Sequence, residues 1–285
     1  MPAQHSGIPA RMDKHRTLEF IKKQQRQWAD SRRIRYDSRS RVLSLPDNLF
    51  SSLNPETVAE YQAADGDELG RDGKGGKLWS LHSSSALVCN VFDYWRNRNL
   101  APLGVALGVQ GELCEIRFER KFPTGLRGKS PNLDLILYRS DSRVTAIESK
   151  FTEPYCEGKS GFVDSYFDTN GLWEGLDCCR GLAEAIHHRN DFEYLGAPQL
   201  LKHILGLRRT YCASCFELLY LWYDVDGSSA SSEHAKEFTR FQKVVSPDVY
   251  VRGLTYSEVF RVLLPQVPET DYAGYLKERY VGTFH

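Results

Sequence analysis

The chain has 285 residues, 41% hydrophobic and 26% charged, a globular composition with room for one large core or one and a half. Its 37 basic and 37 acidic side chains cancel, so whole-chain charge points to no nucleic-acid or membrane partner. No stretch approaches the roughly 20 apolar residues of a membrane span, and the first residues lack the apolar core of a secretory signal. A cytoplasmic protein without membrane contact is the expectation.

Charge is distributed unevenly along the chain. Residues 11–41 hold eleven Lys or Arg against four acids. Within them TLEFIKKQQRQWADSRRIRY is expected to form a helix anchored by Leu18, Ile21 and Trp28, running into a basic irregular tail. Either this is a solvated helix packed on the body, or Arg32, Arg33 and Arg35 lie along phosphates. In the second case each neutralised phosphate steepens the salt dependence by roughly 0.9 log units. Residues 42–76 turn acidic and end in the Gly/Asp-rich DGDELGRDGKGGK. A boundary is expected there, dividing an N-terminal part (1–76) from the main domain (77–285).

From Leu78 the periodicity tightens. Leu81, Val88, Val91, Phe92 and Trp95 have helical spacing. ELCEIRFERKF alternates Cys114, Ile116 and Phe118 with Glu115, Arg117, Glu119 and Lys121, the pattern of a half-buried strand. NLDLILY and VTAIESKF follow as a hairpin pair turning at RSDS. Further helices are expected in GLWEGLDCCRGLAEAIHH and APQLLKHILGLRR. CFELLYLWYDV is a continuous apolar run suited to a strand buried on both faces. LTYSEVFRVLL opens with Thr255 and Glu258 at capping-box spacing. The order helix, three strands, helices, strand, helix, strand, helix indicates a mixed α/β layer structure.

Several motifs fail on their chemistry. GLRGKS lacks the first glycine of a phosphate loop, since Pro123 stands there. The loop from Asp65 ends at its twelfth position on Gly76 instead of a bidentate Glu. Cys212 and Cys215 form one CxxC without a second pair at zinc spacing. With the other five cysteines they read as mostly buried, reduced thiols. His187, His188 and His203 read as helix-surface or supporting residues before ligands.

Acid-x-Lys occurs four times, at Asp72–Lys74, Glu119–Lys121, Glu148–Lys150 and Glu157–Lys159. Glu148-Ser-Lys150 alone has both a strand of its own and a preceding strand that supplies an acid, Asp134. Period-two geometry points Glu148 and Lys150 to one face and Ile147 and Phe151 away. Asp134, near the start of the paired strand, can reach that face. A partly buried ion-pair cluster is one reading. It leaves two acids facing one lysine, an imbalance that a divalent cation would offset.

At these residues the sequence resembles the PD-(D/E)xK nuclease superfamily, whose signature is an Asp starting one strand of a hairpin and (D/E)-x-Lys on the next. The fit is Pro131-Asn-Leu-Asp134 and Glu148-Ser-Lys150, with thirteen residues between the acids. The Pro stands two residues further from the Asp than in the family's literal motif. PNLDLIL…AIESKFTEPY, QLLKHILGLRR and LTYSEVF further resemble a group of bacterial restriction-endonuclease-like proteins, across roughly residues 78–285. The resemblance implies a restriction-endonuclease-like core, with a central mixed β-sheet flanked by helices in αβββαβ order.

It also implies Mg²⁺, with Mn²⁺ as a substitute, on Asp134, Glu148 and the backbone carbonyl of Ser149. Lys150 would position or deprotonate the attacking water and stabilise the developing negative charge; a lysine near a metal and partly desolvated can have the depressed pKa that the base role needs. Glu119 or Glu115 stands in for an upstream acid, and Gln199 is a second supporting residue. Glu119 also reads as a surface strand residue, and Gln199 as a merely solvated one. The function implied is endonucleolytic hydrolysis of DNA, of restriction type, with a homodimer and a cognate methyltransferase as partners. Its rivals are a repair, recombination or RNA nuclease of the same fold, and a non-catalytic nucleic-acid-binding protein.

Overall fold

A computed structural model of the protein describes residues 10–71, 74–128, 130–158, 161–268 and 270–281. Asp72, Lys129 and Lys159, which enter three of the competing motifs, lie outside them. Helix α1 spans Ala10–Ser31 and α2 Pro55–Ala63, followed by a two-residue ladder, β1 Gly70–Arg71 with β2 Lys74–Gly75. Helices α3 (Ser84–Phe92) and α4 (Ala101–Ala106) lead into strands β3 (Leu113–Lys121), β4 (Asn132–Arg139) and β5 (Val144–Lys150). The short α5 (Ser165–Asp168), then α6 (Asp177–His188) and α7 (Ala197–Thr210), precede β6 (Phe216–Trp222). Helix α8 (Ser229–Val245), β7 (Val251–Thr255), α9 (Tyr256–Leu263) and α10 (Asp271–Leu276) complete the order.

The main sheet runs β3-β4-β5-β6-β7. Its first two pairings are antiparallel and its last two parallel. Strand β6 is buried at every residue, as its unbroken apolar run requires between two parallel neighbours under helices on both faces. Thr255 and Glu258 form the expected capping box on α9. One face of the sheet packs Ile116, Phe118, Leu135, Leu137 and Ile147 against α1, α3, α4, α9 and α10. The other packs Leu133, Ile136, Ala146, Leu218 and Tyr220 against α6, α7 and α8. Helix α7 comes within reach of the end of β3 because of Gly206, where a Cβ would stand 2.2 Å from the Phe122 carbonyl oxygen.

Three expectations change. The helix from Leu172 begins only at Asp177, since Gly171 and Gly175 adopt φ of 72° and 70°; Leu172 and Leu176 are still buried, in turns. Cys212 and Cys215 are not core thiols but a disulfide in the turn before β6, with Cα atoms 5.1 Å apart. Of the remaining five cysteines only Cys89 and Cys179 are buried.

The N-terminal part shares the core of the rest. Ile21 and Trp28 of α1 and Tyr61 of α2 lie in one apolar cluster with Leu135 and Ile147 of the sheet. Arg279, 3% exposed, donates to Gln25, Asn48 and Leu81 and ties that part to the C-terminal turn. Residue 76 therefore does not separate two cores.

His234 of α8 is fully buried, with Nε2 3.0 Å from the Tyr220 hydroxyl. Burial, and then the charges of Lys14 and Lys150, push its pKa down to about 3. The unfolded chain takes up a proton here near pH 6.5 that the folded chain refuses. This contribution to stability is complete above pH 6.5 and is lost as pH falls toward 3, by up to about 1.4 kcal/mol per pH unit. His234→Gln is expected to flatten the fall in urea stability between pH 6.5 and 4.5. Parallel slopes for the two proteins would refute the assignment.

Candidate active site

The β4–β5 ladder runs from Tyr138/Val144 to Leu135/Ile147 and stops there. One residue further the Asp134 carboxylate takes over, its Oδ2 accepting the Ser149 amide at 2.7 Å. The pleat of β3 and β4 breaks at the same point. Phe118 and Phe122 lie in opposite cores, as do Leu133 and Leu135, although regular alternation would put each pair on one face. Between them Glu119 sits opposite Asp134, with a left-handed φ of 50°. The site is thus built where the sheet leaves regular geometry, at the carboxyl ends of β5 and β6, where open α/β sheets place ligands.

Glu148 and Lys150 project toward α7, and Ile147 and Phe151 belong to the opposite core, as the spacing requires. Lys150 Nζ donates to Glu148 Oε1 at 2.5 Å, and Gln199 Nε2 donates to the same oxygen at 2.8 Å. His203, fully buried one turn beyond Gln199, brings Nε2 to 3.0 Å from Glu148 Oε2. That approach is off the hydrogen-bond direction, so Oε2 is left buried without a well-aligned donor. Glu119 Oε2 accepts from Asn132 at 3.3 Å.

The electrostatics follow from three carboxyls gathered around one lysine. Burial, then the negative charge of Glu148, pushes Asp134 far above the usual carboxylate range. Burial, then Glu68, raises Glu119 to about 7. Burial would raise Glu148 too, but Lys150 and then His203 outweigh it and hold the group at about 2. For Lys150 burial favours the neutral amine, yet Glu148, Glu153 and Asp134 together push its pKa upward. Without a metal, the surrounding carboxylates favour the charged form of Lys150.

The supporting residues divide. Gln199 and Glu119 are at the site. Glu115 is not: its carboxylate pairs with Arg117 toward the far end of β3. Lys202 of the same helix donates to the Gly161 carbonyl at 2.7 Å. Arg32, Arg33 and Arg35 are exposed, Arg32 paired with Glu278. Lys14, at the other end of α1, donates to the Glu193 carbonyl beside Lys150. Eighteen residues of helix at 1.5 Å each separate Lys14 from Arg32, about 27 Å, so the structure does not bring the arginines to the carboxylates.

Sequence reasoning missed Glu68. It is 5% exposed, accepts from Lys77 at 2.6 Å and Ser85 at 2.6 Å, and contributes to the negative field at Glu119. Its loop carries no periodicity that would single it out.

Asp134, Glu148 and the Ser149 carbonyl are all hard oxygen donors of the kind Mg²⁺ takes while keeping several waters. Glu148 Oε2 is buried without an aligned donor, and an added cation would favour the ionised form of Asp134, which burial and then the Glu148 charge disfavour. The donor set fits a divalent cation. Among the described residues no group of three or more His, Cys, Asp or Glu side chains is placed to hold a metal ion.

No helix among the described residues is long and apolar enough to cross a membrane. No curated protein and no solved structure matches the chain. The family model described as restriction endonuclease associating with ARP matches residues 14–281. It spans the N-terminal helix, the sheet and the C-terminal turn alike, and its restriction-endonuclease character agrees with a mixed five-stranded sheet flanked by helices. The chain belongs to this restriction endonuclease family.

Proposed function

We propose that the protein is a Mg²⁺-dependent endonuclease that hydrolyses phosphodiester bonds in DNA, serving restriction-type defence in the cytoplasm. The observation that carries this reading is the convergence of Asp134, Glu148 and Lys150 where the β4–β5 ladder opens, in a chain of that family. The cation, with Mn²⁺ as substitute, supplies Lewis-acid charge and lowers the pKa of a bound water. Asp134, Glu148 and the Ser149 carbonyl hold it. Lys150 offers its ammonium to the phosphoryl oxygens as negative charge grows on them. Gln199 and His203 fix Glu148 from α7, so that its carboxylate does not collapse entirely onto Lys150. Glu119, opposite Asp134, adds negative charge to the site.

Arg33 and Arg35, exposed beyond the end of α1, contact the DNA backbone at a distance from the cut, with Arg32 beside them. Deleting the segment would remove Ile21 and Trp28 from the core, so point variants are the appropriate probe.

A homodimer, a methyltransferase and, by the family's description, ARP are the proposed protein partners. Sedimentation that finds only monomer at every concentration, with and without DNA, removes the homodimer.

The test is supercoiled plasmid, single-stranded DNA and RNA incubated with the protein in Mg²⁺ or in EDTA. Plasmid cleavage in Mg²⁺ and none in EDTA is expected. Cleavage of RNA alone favours an RNA nuclease, and binding without any cleavage favours a non-catalytic binding protein. In the same binding series, replacing Arg33 and Arg35 by Ala should flatten the slope of log K against log salt by roughly 0.9 per lost phosphate contact. An unchanged slope removes them from the interface.

A further inference from the structure

Beside Lys150 and Gln199 opens a cavity of about 250 Å³ that the proposed hydrolysis does not use. Tyr220 of β6, the turn at Glu153 and the connection 190–196 between α6 and α7 line it. That connection has no regular secondary structure, yet neighbouring helices hold it at several points. Glu237 of α8 accepts three consecutive amides, those of Glu193, Tyr194 and Leu195, at 2.7, 2.8 and 2.8 Å. Arg240 donates to the Asp191 carbonyl at 2.9 Å and lies 4.2 Å over the Phe192 ring. Lys14 of α1 donates to the Glu193 carbonyl at 2.6 Å and stands 4.5 Å from the Tyr194 ring centroid. So many anchors on a loop make a preformed wall, and loops held this way by a rigid scaffold carry function.

The lining selects the ligand. Phe192, Tyr194 and Tyr220 are among its aromatic lining, and two acids, Glu153 and Glu193, stand against one lysine, Lys150, among the described lining residues. A second phosphate would meet two carboxylates, so the cavity is unsuited to more backbone. A neutral ring with amino donors on its edge suits it: carboxylates accept from such an edge, and the aromatic lining adds apolar contact. Asn190 also lines the cavity, its Oδ1 accepting the Phe192 amide at 3.0 Å, which leaves the Nδ2 hydrogens as donors. At roughly 30 Å³ per water the volume equals about eight waters, room for one base with part of its sugar and not for a base pair.

We infer that this cavity receives a single unstacked nucleobase carrying an exocyclic amino group, from a nucleotide adjoining the phosphate held at Lys150. The inference rests on the nuclease reading for that phosphate. The pocket itself is defined without it, by its walls and charge. Enzymes that place a base outside the stack read it by its hydrogen-bonding edge and by stacking in such pockets.

The test uses the full chain without added metal and the four 2′-deoxynucleosides, followed by saturation-transfer NMR, with plasmid cleavage in Mg²⁺ run in parallel. Saturable binding of deoxyadenosine, deoxycytidine or deoxyguanosine at least about five-fold tighter than thymidine is expected, and Glu193→Gln should remove that preference. Glu193 is exposed, so the variant keeps its fold. Binding of no nucleoside, equal binding of all four, or a preference untouched by Glu193→Gln overturns the inference. If no nucleoside binds but plasmid is cut, the pocket assignment alone falls. If the amino-bearing nucleosides bind as expected and plasmid is never cut, the pocket stands and the nuclease reading falls.

Discussion

Lys150→Ala is expected to lower the rate of plasmid cleavage by about 10³-fold, the order lost when a single charge-stabilising donor is removed from an active site. The size of the effect follows from the surroundings. Lys150 is the cation on Glu148, 2.5 Å away, and the carboxylates of Glu148, Glu153 and Asp134 keep it charged. Without it the cluster loses the ammonium that pairs with Glu148 as a polyanionic substrate approaches. The fold should survive, because Glu148 keeps Gln199 at 2.8 Å and His203 at 3.0 Å. Initial nicking rates, with circular dichroism to verify folding, measure this. Glu115→Ala, which breaks only the pair with Arg117 on β3, should change the rate less than about two-fold and serves as the control. A Lys150→Ala protein that cuts at the wild-type rate would remove the site assignment.

Arg279→Met is expected to destabilise the protein by at least about 3 kcal/mol, since a buried charged donor leaves several acceptors unsatisfied when it goes. The guanidinium donates to the Gln25 side chain at 3.0 Å, to both oxygens of Asn48 at 2.7 and 2.6 Å, to the Tyr275 hydroxyl at 2.6 Å and to the Leu81 carbonyl at 3.0 Å. It also lies 4.0 Å over the Trp28 ring. Methionine keeps the apolar stem but none of the donors. These partners come from α1, the turn at residue 48, the segment before α3, and α10. Residues 10–76 and the sheet are therefore expected to unfold in one urea transition, with the midpoint lowered in the variant. Two separate transitions in the wild-type protein would restore the boundary near residue 76.

Much of the site was legible because its signals are local. The period of two in VTAIESKF fixes which side chains share a sheet face, and Glu148 and Lys150 share one in the structure, whereas in ELCEIRFERKF Cys114 is exposed and the alternation ends at Glu119. Four-residue spacing on α7 put Gln199 and His203 on one face, and both meet Glu148. Lys202 of that helix reaches a carbonyl on the loop before α5. The charge environment of Lys150 was less legible for a related reason. Partial burial could be foreseen from the strand, whereas the number of carboxylates around the amine depends on Glu153, Asp134 and the break at Glu119.

The sequence by itself determined the element order, the buried parallel strand, the capping box on α9 and the pair of strands that carries the acids, because periods of two and 3.6 are properties of neighbouring residues. Only the tertiary structure decided that α1 belongs to the core, that Cys212 pairs with Cys215, and that Glu68 lends its charge to Glu119. It alone decided that α1 and α8 anchor the connection that walls a cavity beside Lys150. Each of these joins groups through space, by burial or charge, and no periodicity along the chain records such a contact.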